Sequence, residues 1–403
     1  MVVSLLGDGI YFVAIAWQVY DLTESPAALS LVGLAWSLGM VGFLLLGGVA
    51  ADRVERRRLM LTADAVRLVC VAAMGILAVT GAVEVWHLVA LSLAYGTAEA
   101  FFSPAFSSTI PLLVPSHRLV QANALQEVMR PMAFRLAGPA LGGVLVAAVG
   151  AGGAFLVDAA TFAVALLCVG AIRTGTRVTG VGEGARPGGV REGIAWGRRE
   201  PWFWASLWAA ALAILCTVGP IEVLLPYVVR NDLGAGAGAF GLVLAAGGVG
   251  GVAGGLLMGR RGLPARRLRA LFALWTACML AVAGYALTDA VWQLMALTFL
   301  YGLGVSCGMV IWATLMQTRV PPGMLGRVTS LDWLVSIGLS PVSFALVGPV
   351  AALAGTDATL VGAGVLGSLA TAGIFLLVPA LRADDAAARA PEDGRRLREP
   401  VEA

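Results

Sequence analysis

Apolar residues run along this chain in long blocks broken by short polar or charged turns. A helix needs about 20 mostly apolar residues to cross a bilayer, and on that ruler the chain holds twelve: 4–22, 27–50, 59–81, 86–110, 121–149, 151–172, 202–229, 237–259, 268–287, 291–316, 324–350 and 357–381. Turns such as Asp21-Leu22-Thr23-Glu24-Ser25-Pro26 and Gly355-Thr356-Asp357 separate them. The predicted class is an all-α integral membrane protein. The first run begins almost at Met1 and leads into further spans, so it reads as a first helix and not as a cleaved leader. Its lack of a polar or basic lead suggests a clipped start.

Composition agrees with the pattern. Of 403 residues, 59% are hydrophobic and only 13% charged, against roughly 45–50% and about 25% in soluble domains. A net charge of +3 on such a chain concerns topology, and no nucleic-acid partner is expected. Every basic residue is arginine, which excludes lysine Schiff-base chemistry and favours fixed, bidentate charges. Cys70, Cys168, Cys216, Cys278 and Cys307 all lie inside apolar runs without Cys-x-x-Cys spacing, and read as packing residues. His87 and His117 fall at opposite ends of one segment. No metal site, no cofactor and no enzyme-type cluster of nucleophile and base is expected.

Arginine placement sets the expected orientation. If the loop after the second run is cytoplasmic, Arg118, Arg173 to Arg199, Arg260 to Arg269, Arg319, Arg327 and the Arg382 to Arg398 tail share that side, and only Arg230 falls opposite. The positive-inside rule then puts both termini in the cytoplasm of a multi-pass protein of the cell membrane. The long polar stretch between the sixth and seventh runs gives the expected organisation: residues 1–172 as an N-terminal six-helix bundle, 173–200 as a linker with a short amphipathic helix near Val190–Trp196, 201–382 as a C-terminal bundle, and 383–403 as a disordered tail. The halves are related. Tyr95-Gly96 and Pro115 recur as Tyr301-Gly302 and Pro321; Pro131, Phe134, Leu136, Gly138 and Pro139 recur as Pro341, Phe344, Leu346, Gly348 and Pro349. Parallel repeats with Gly/Pro-interrupted helices are the build of an alternating-access transporter.

The densest charge is in Gly48-x-x-x-Asp52-Arg53-x-x-Arg56-Arg57. It must lie at a membrane surface, because charge in hydrocarbon is costly. This spacing resembles the signature loop between helices two and three of the major facilitator superfamily, although Glu55 stands where the family usually has glycine before the final basic pair. The resemblance implies two pseudo-symmetric six-helix bundles and a gate role for Gly48, Asp52, Arg53, Arg56 and Arg57, with Asp52 meeting the start of segment eleven around Gly326 to Ser330. The run Gly138-Pro139-Ala140-Leu141-Gly142-Gly143 resembles the helix-bending motif of the antiporter branch. Segment one with Trp17 and Tyr20-Asp21-Leu22-Thr23, the stretch Glu99 to Pro104, and Leu225-Pro226-Tyr227-Val228-Val229-Arg230 resemble the branch of the enterobactin exporter and macrolide efflux proteins. The helix-four arginine motif of drug/proton transporters is absent.

Intramembrane charges are functional candidates because each is costly unless paired or hydrated. Counting from segment ends, Glu99 and Arg135 fall near mid-depth, Asp8, Glu127 and Arg130 toward the cytoplasmic side, Asp158 and Glu222 toward the outside. Asp64, Arg67 and Asp332 fall near cytoplasmic ends, and the first two read as a surface pair supporting the gate. Asp8 and Glu99 are the expected proton carriers, with Arg130 and Arg135 as partners; either pair also reads as a permanent structural bridge. Trp17, Trp36, Phe101 and Trp312 are the candidate cavity residues. The expected function is proton-coupled export of a small amphipathic molecule, such as a siderophore, macrolide or drug-like compound, by a monomer in the lipid bilayer. The alternatives are a proton-coupled nutrient importer and a non-transporting membrane protein on the same scaffold.

Overall fold

A computed structural model describes residues 2–23, 25–113, 129, 131–171, 195–321 and 325–382. Hydrocarbon offers no water to the backbone, so each crossing must satisfy its N–H and C=O groups internally, and every regular element described is helical. The first four helices are α1 (Val2–Thr23), α2 (Pro26–Arg53), α3 (Arg56–Val79) and α4 (Val85–Leu113). Next comes a continuous stretch of 40 residues, Met132–Ala171. At 1.5 Å per residue it would be ~60 Å long, twice the hydrocarbon thickness. Gly150 folds it back with φ 73°, ψ 171°, a conformation open to glycine, dividing it into α5 (132–149) and α6 (151–171). The second set is α7 (Pro201–Asp232), α8 (Ala237–Arg261), α9 (Arg267–Tyr285), α10 (Val291–Arg319), α11 in two pieces (Leu325–Gly338 and Ser340–Ala354) and α12 (Thr356–Leu377).

Among the described residues eleven helices are long and apolar enough to cross a membrane, and the Gly150 fold makes twelve crossings of them. An even number of crossings puts the start of α1 and the end of α12 on one side, here termed the near end. Three helices depart from regular geometry. Met132–Ala137 in α5 and Pro220–Leu224 in α7 are π-helical turns, and α11 breaks at Leu339. The expected linker lies outside the described residues except at 195–200, where 195–199 form a helical turn and Trp196 packs on Trp202 and Phe203. The 383–403 tail lies outside them as well.

The helices sort into two six-helix bundles, α1–α6 and α7–α12, with matching internal contacts. In the first, α2 lies along α4, and α1 and α3 pack on the α5–α6 pair; in the second, α8 lies along α10 and α9 along α12. Apolar surface drives little association between helices already in lipid, so close backbone approach carries much of the packing. A methyl group on Gly96 of α4 would overlap the Trp36 carbonyl of α2, and one on Gly302 of α10 would overlap the Gly247 carbonyl of α8. The repeated Tyr-Gly pair is therefore a repeated helix crossing.

Between the bundles, four polar contacts among the described residues lie at mid-depth or toward the far end. Asp21 Oδ1 accepts from Arg230 Nη1 at 2.6 Å, and that guanidinium also lies 5.4 Å from the Trp17 ring centre. The Tyr20 hydroxyl donates to the Val223 carbonyl at 2.6 Å, Ser30 donates to the Phe344 carbonyl, and the Ser37 and Ser340 hydroxyls meet at 2.9 Å. Bare backbone completes the seal, with Gly143 of α5 against Gly241 and Gly238 of α8.

Gly96→Leu should force α4 off α2 and cost about 1–3 kcal/mol by overpacking, seen as a lower Tm of the detergent-solubilised protein. Gly42→Leu on the exposed side of α2, where an added Cβ meets nothing within 4 Å, should leave Tm near the wild-type value.

Candidate functional site

Two connected lobes of one cavity lie between the bundles. The first is lined by Asp8, Trp36, Tyr95 and Glu99 of the first bundle and by Phe344 of the second. The second is lined by Arg135, Tyr285, Thr298 and Tyr301, with the bare backbone of Gly247 and Gly248 on one wall. Phe12, Phe134 and Glu222 border both lobes, and the two phenyl rings meet edge to face with centres 6.3 Å apart. Such a cavity, mostly apolar with several aromatic rings and few charged groups, suits an amphipathic guest.

Behind the first lobe lies a buried ionic cluster built from α1, α3, α4 and α6. Arg67 of α3, with a side chain 3% exposed, donates through Nη2 to Asp8 Oδ1 at 2.8 Å, and its Nη1 lies 3.4 Å from Asp64 Oδ1. The Tyr95 hydroxyl donates to the same Asp8 oxygen at 2.5 Å. Three rings surround the guanidinium, those of Tyr95, Phe102 and Phe162, with centres 5.1, 5.3 and 4.5 Å away. Asp158 of α6, fully buried, accepts from Thr161 at 3.1 Å through one oxygen, while its other oxygen has no partner among the described residues. Its carboxyl lies against Gly7, where any side chain on α1 would overlap it. Tyr11 ties this layer to the lobe, stacked on Tyr95 at 4.9 Å and sharing a 3.1 Å hydrogen bond with Ser92.

Asp8 and Glu99, expected as functional carboxylates, thus border the same lobe. Asp8 meets Arg67, whereas Arg130 lies outside the described residues. Glu99 accepts a 3.1 Å hydrogen bond from the Trp36 indole. Arg135 borders the second lobe with Glu222, not the first with Glu99. Asp64 and Arg67 differ most from expectation: they are 1% and 3% exposed, not a surface pair. Since α3 starts at Arg56, Arg67 lies eleven residues in, or ~16 Å deep, a depth hidden by taking Leu59 as the helix start.

Of the four aromatic candidates, Trp36 borders the first lobe. Trp17 lies under Arg230 at the far end, and Phe101 faces Phe43 at 6.5 Å. Trp312 is buried in a cluster with Trp202, Phe203 and Trp275, and its indole donates to Asp332 Oδ2 at 3.1 Å. Its ring packs the interior of the second bundle instead of a lobe. In the bending motif, Gly138 and Gly142 lie bare against α1, Gly143 against α8, and Pro139 borders the second lobe. The local widening of α5 lies just upstream, at Met132–Ala137.

At the gate stretch, α2 continues through Arg53, so the turn is only Val54-Glu55. The side chains of Gly48, Asp52 and Arg53, and the expected contact at Gly326 to Ser330, lie outside the described residues. Arg57 donates to the carbonyls of Val169 and Gly170 at 3.2 and 2.5 Å, closing the C-terminal end of α6. Glu55 pairs with Arg58 at 2.7 Å.

Comparison with known proteins places this architecture. The family described as transmembrane secretion effector matches residues 1–403. The multidrug efflux pump Tap of Mycolicibacterium fortuitum is 29% identical over 406 residues, covering 95% of each chain. Macrolide efflux protein A of Streptococcus pyogenes is 24% identical over 355 residues, 85% of each chain. In fold, the chain is similar to a crystal structure of the nucleoside transporter NupG, with TM-score 0.72 and 11% identity over 93% of this chain and 98% of that one. A bacterial homologue of the lysosomal transporter Spinster gives TM-score 0.66 and 15% identity over 96% and 95%. The chain is a membrane transporter and not an enzyme, and it belongs to the transmembrane secretion effector family of the major facilitator superfamily.

Proposed function

We propose that this protein exports a small amphipathic, drug-like molecule across the cell membrane by alternating access, driven by protons. The observation that carries the reading is the aromatic two-lobed cavity between the bundles, bordered by carboxylates and sealed toward the far end. The efflux relatives support the direction of transport. Arginine asymmetry supports cytoplasmic termini, so the sealed end faces outside and the guest enters from the cytoplasm or inner leaflet. The working unit is a monomer of two bundles, 1–172 and 201–382, joined by the 173–200 linker and followed by the 383–403 tail.

Asp8 or Glu99 is the proton carrier in this reading. Asp8 accepts hydrogen bonds from Arg67 and Tyr95. Separating the pair would leave a lone charge in a low-dielectric interior, a state that proton uptake relieves. Rocking α1 against α3 and α4 would thereby couple proton binding to opening. Glu99, bonded to the Trp36 indole on the wall of the same lobe, can exchange this partner for a guest's donor.

Gating by Gly48, Asp52, Arg53, Arg56 and Arg57 supplies the closing contact on the cytoplasmic side. A helix N-terminus favours a carboxylate, and the start of α11 is the expected partner of Asp52.

Proteoliposomes with an imposed ΔpH test the reading. Asp8→Asn and Glu99→Gln are expected to lose most gradient-driven efflux in at least one case, with downhill exchange of the same compound retained. Full driven efflux in both variants removes the carrier assignment, and uptake without efflux identifies an importer. Asp52→Asn should insert normally yet slow transport about tenfold or more; unimpaired transport excludes the gate role.

A further inference from the structure

We propose that the second lobe is a subsite for zwitterionic amphiphiles, whose cationic end meets Glu222 and whose anionic end meets Arg135. The inference rests on the reading of the cavity as the transport site and specifies the guest it takes there.

The two residues come from different bundles, Arg135 from α5 and Glu222 from α7, and both border the lobe. They do not form an ion pair with each other, and among the described residues neither makes an ion pair or a side-chain hydrogen bond elsewhere. They do interact electrostatically across the lobe. This contrasts with Arg67, which is held by two carboxylates and three rings. Opposite charges facing one cavity at membrane depth without touching leave each other's binding capacity unused, and no described side chain pairs with either to offset their cost. A guest that carries both charges supplies the two missing partners at once. A guest with only a cation satisfies Glu222 but brings its charge toward Arg135, and a lone anion does the reverse.

The backbone supports the same reading. Each residue lies on a π-helical turn, Met132–Ala137 and Pro220–Leu224, in which an extra residue per turn re-aims side chains. Such bulges recur at functional sites. Phe12 and Phe134 border both lobes and give flat apolar surface beside Glu222, suited to an aromatic scaffold and to a cation near its ring faces. On the opposite wall Gly247 and Gly248 present no side chains, leaving room for a rigid ring system.

The test compares two dyes with one scaffold: rhodamine 110, a zwitterion with a free carboxylate, and rhodamine 123, its cationic methyl ester. Binding to the purified full-length protein in detergent is read by fluorescence anisotropy. Wild type should bind the zwitterion more tightly. Arg135→Gln should weaken rhodamine 110 about tenfold, the scale of one charge-assisted hydrogen bond, and leave rhodamine 123 nearly unchanged or tighter. Glu222→Gln should weaken both. If Arg135→Gln loses both dyes, Arg135→Lys decides, since a restored preference for the zwitterion supports the subsite and an equal loss of both overturns it. Wild-type preference for the ester, or a partial weakening by Arg135→Gln that is equal on the two dyes, also overturns it. Driven efflux is measured separately. The expected binding pattern without driven efflux sinks the exporter reading and keeps the subsite; driven efflux with equal effects on both dyes sinks the subsite alone.

Discussion

One buried guanidinium governs the layout of the first bundle. Arg67 cannot lie ~16 Å into a bilayer unless its charge is met, and the partners come from several helices: Asp8 from α1, Asp64 from its own helix, and rings from α4 and α6. Removing a buried partner commonly costs about 3–5 kcal/mol, because the remaining charge is stranded. The packing of α1, α3, α4 and α6 is therefore tied to electrostatic neutrality as well as to shape. The second bundle has no described counterpart to this cluster. At its near end, stacked and edge-on aromatic rings around Trp312 fill the interior instead. The repeat is thus symmetric in backbone and asymmetric in chemistry, with a buried ionic cluster inside the first bundle and packed aromatic rings inside the second.

Run lengths made the crossings legible, because a bilayer imposes one length on every span. Even the tightest connection was visible as the break between runs ending at 149 and starting at 151, where Gly150 turns the chain. The Tyr-Gly repeat pointed to matching helices, and the structure explains it as matching close approaches. What could not be read was direction around each helix. A soluble helix marks its inner face by an apolar stripe. A membrane helix is apolar on its lipid face too, so Trp36 on the cavity and Trp312 in a packed interior look alike along the chain. Depth failed for a related reason: the Arg56-Arg57-Arg58 cluster is already helical, which moves Arg67 from the rim to the interior. Glu222 and Arg135 were visible as charges, but their shared lobe arises from two irregular turns that no residue type announces.

The tight fold at Gly150 links separate regions of the protein. With no loop between them, α5 and α6 form one hairpin turned at a single glycine. One arm bears Gly143 on the seam with α8; the other bears Asp158 beside Asp8's helix and ends where Arg57 closes it at the gate turn. The seam, the charge cluster and the Val54-Glu55 turn therefore all border one unbroken hairpin of helix.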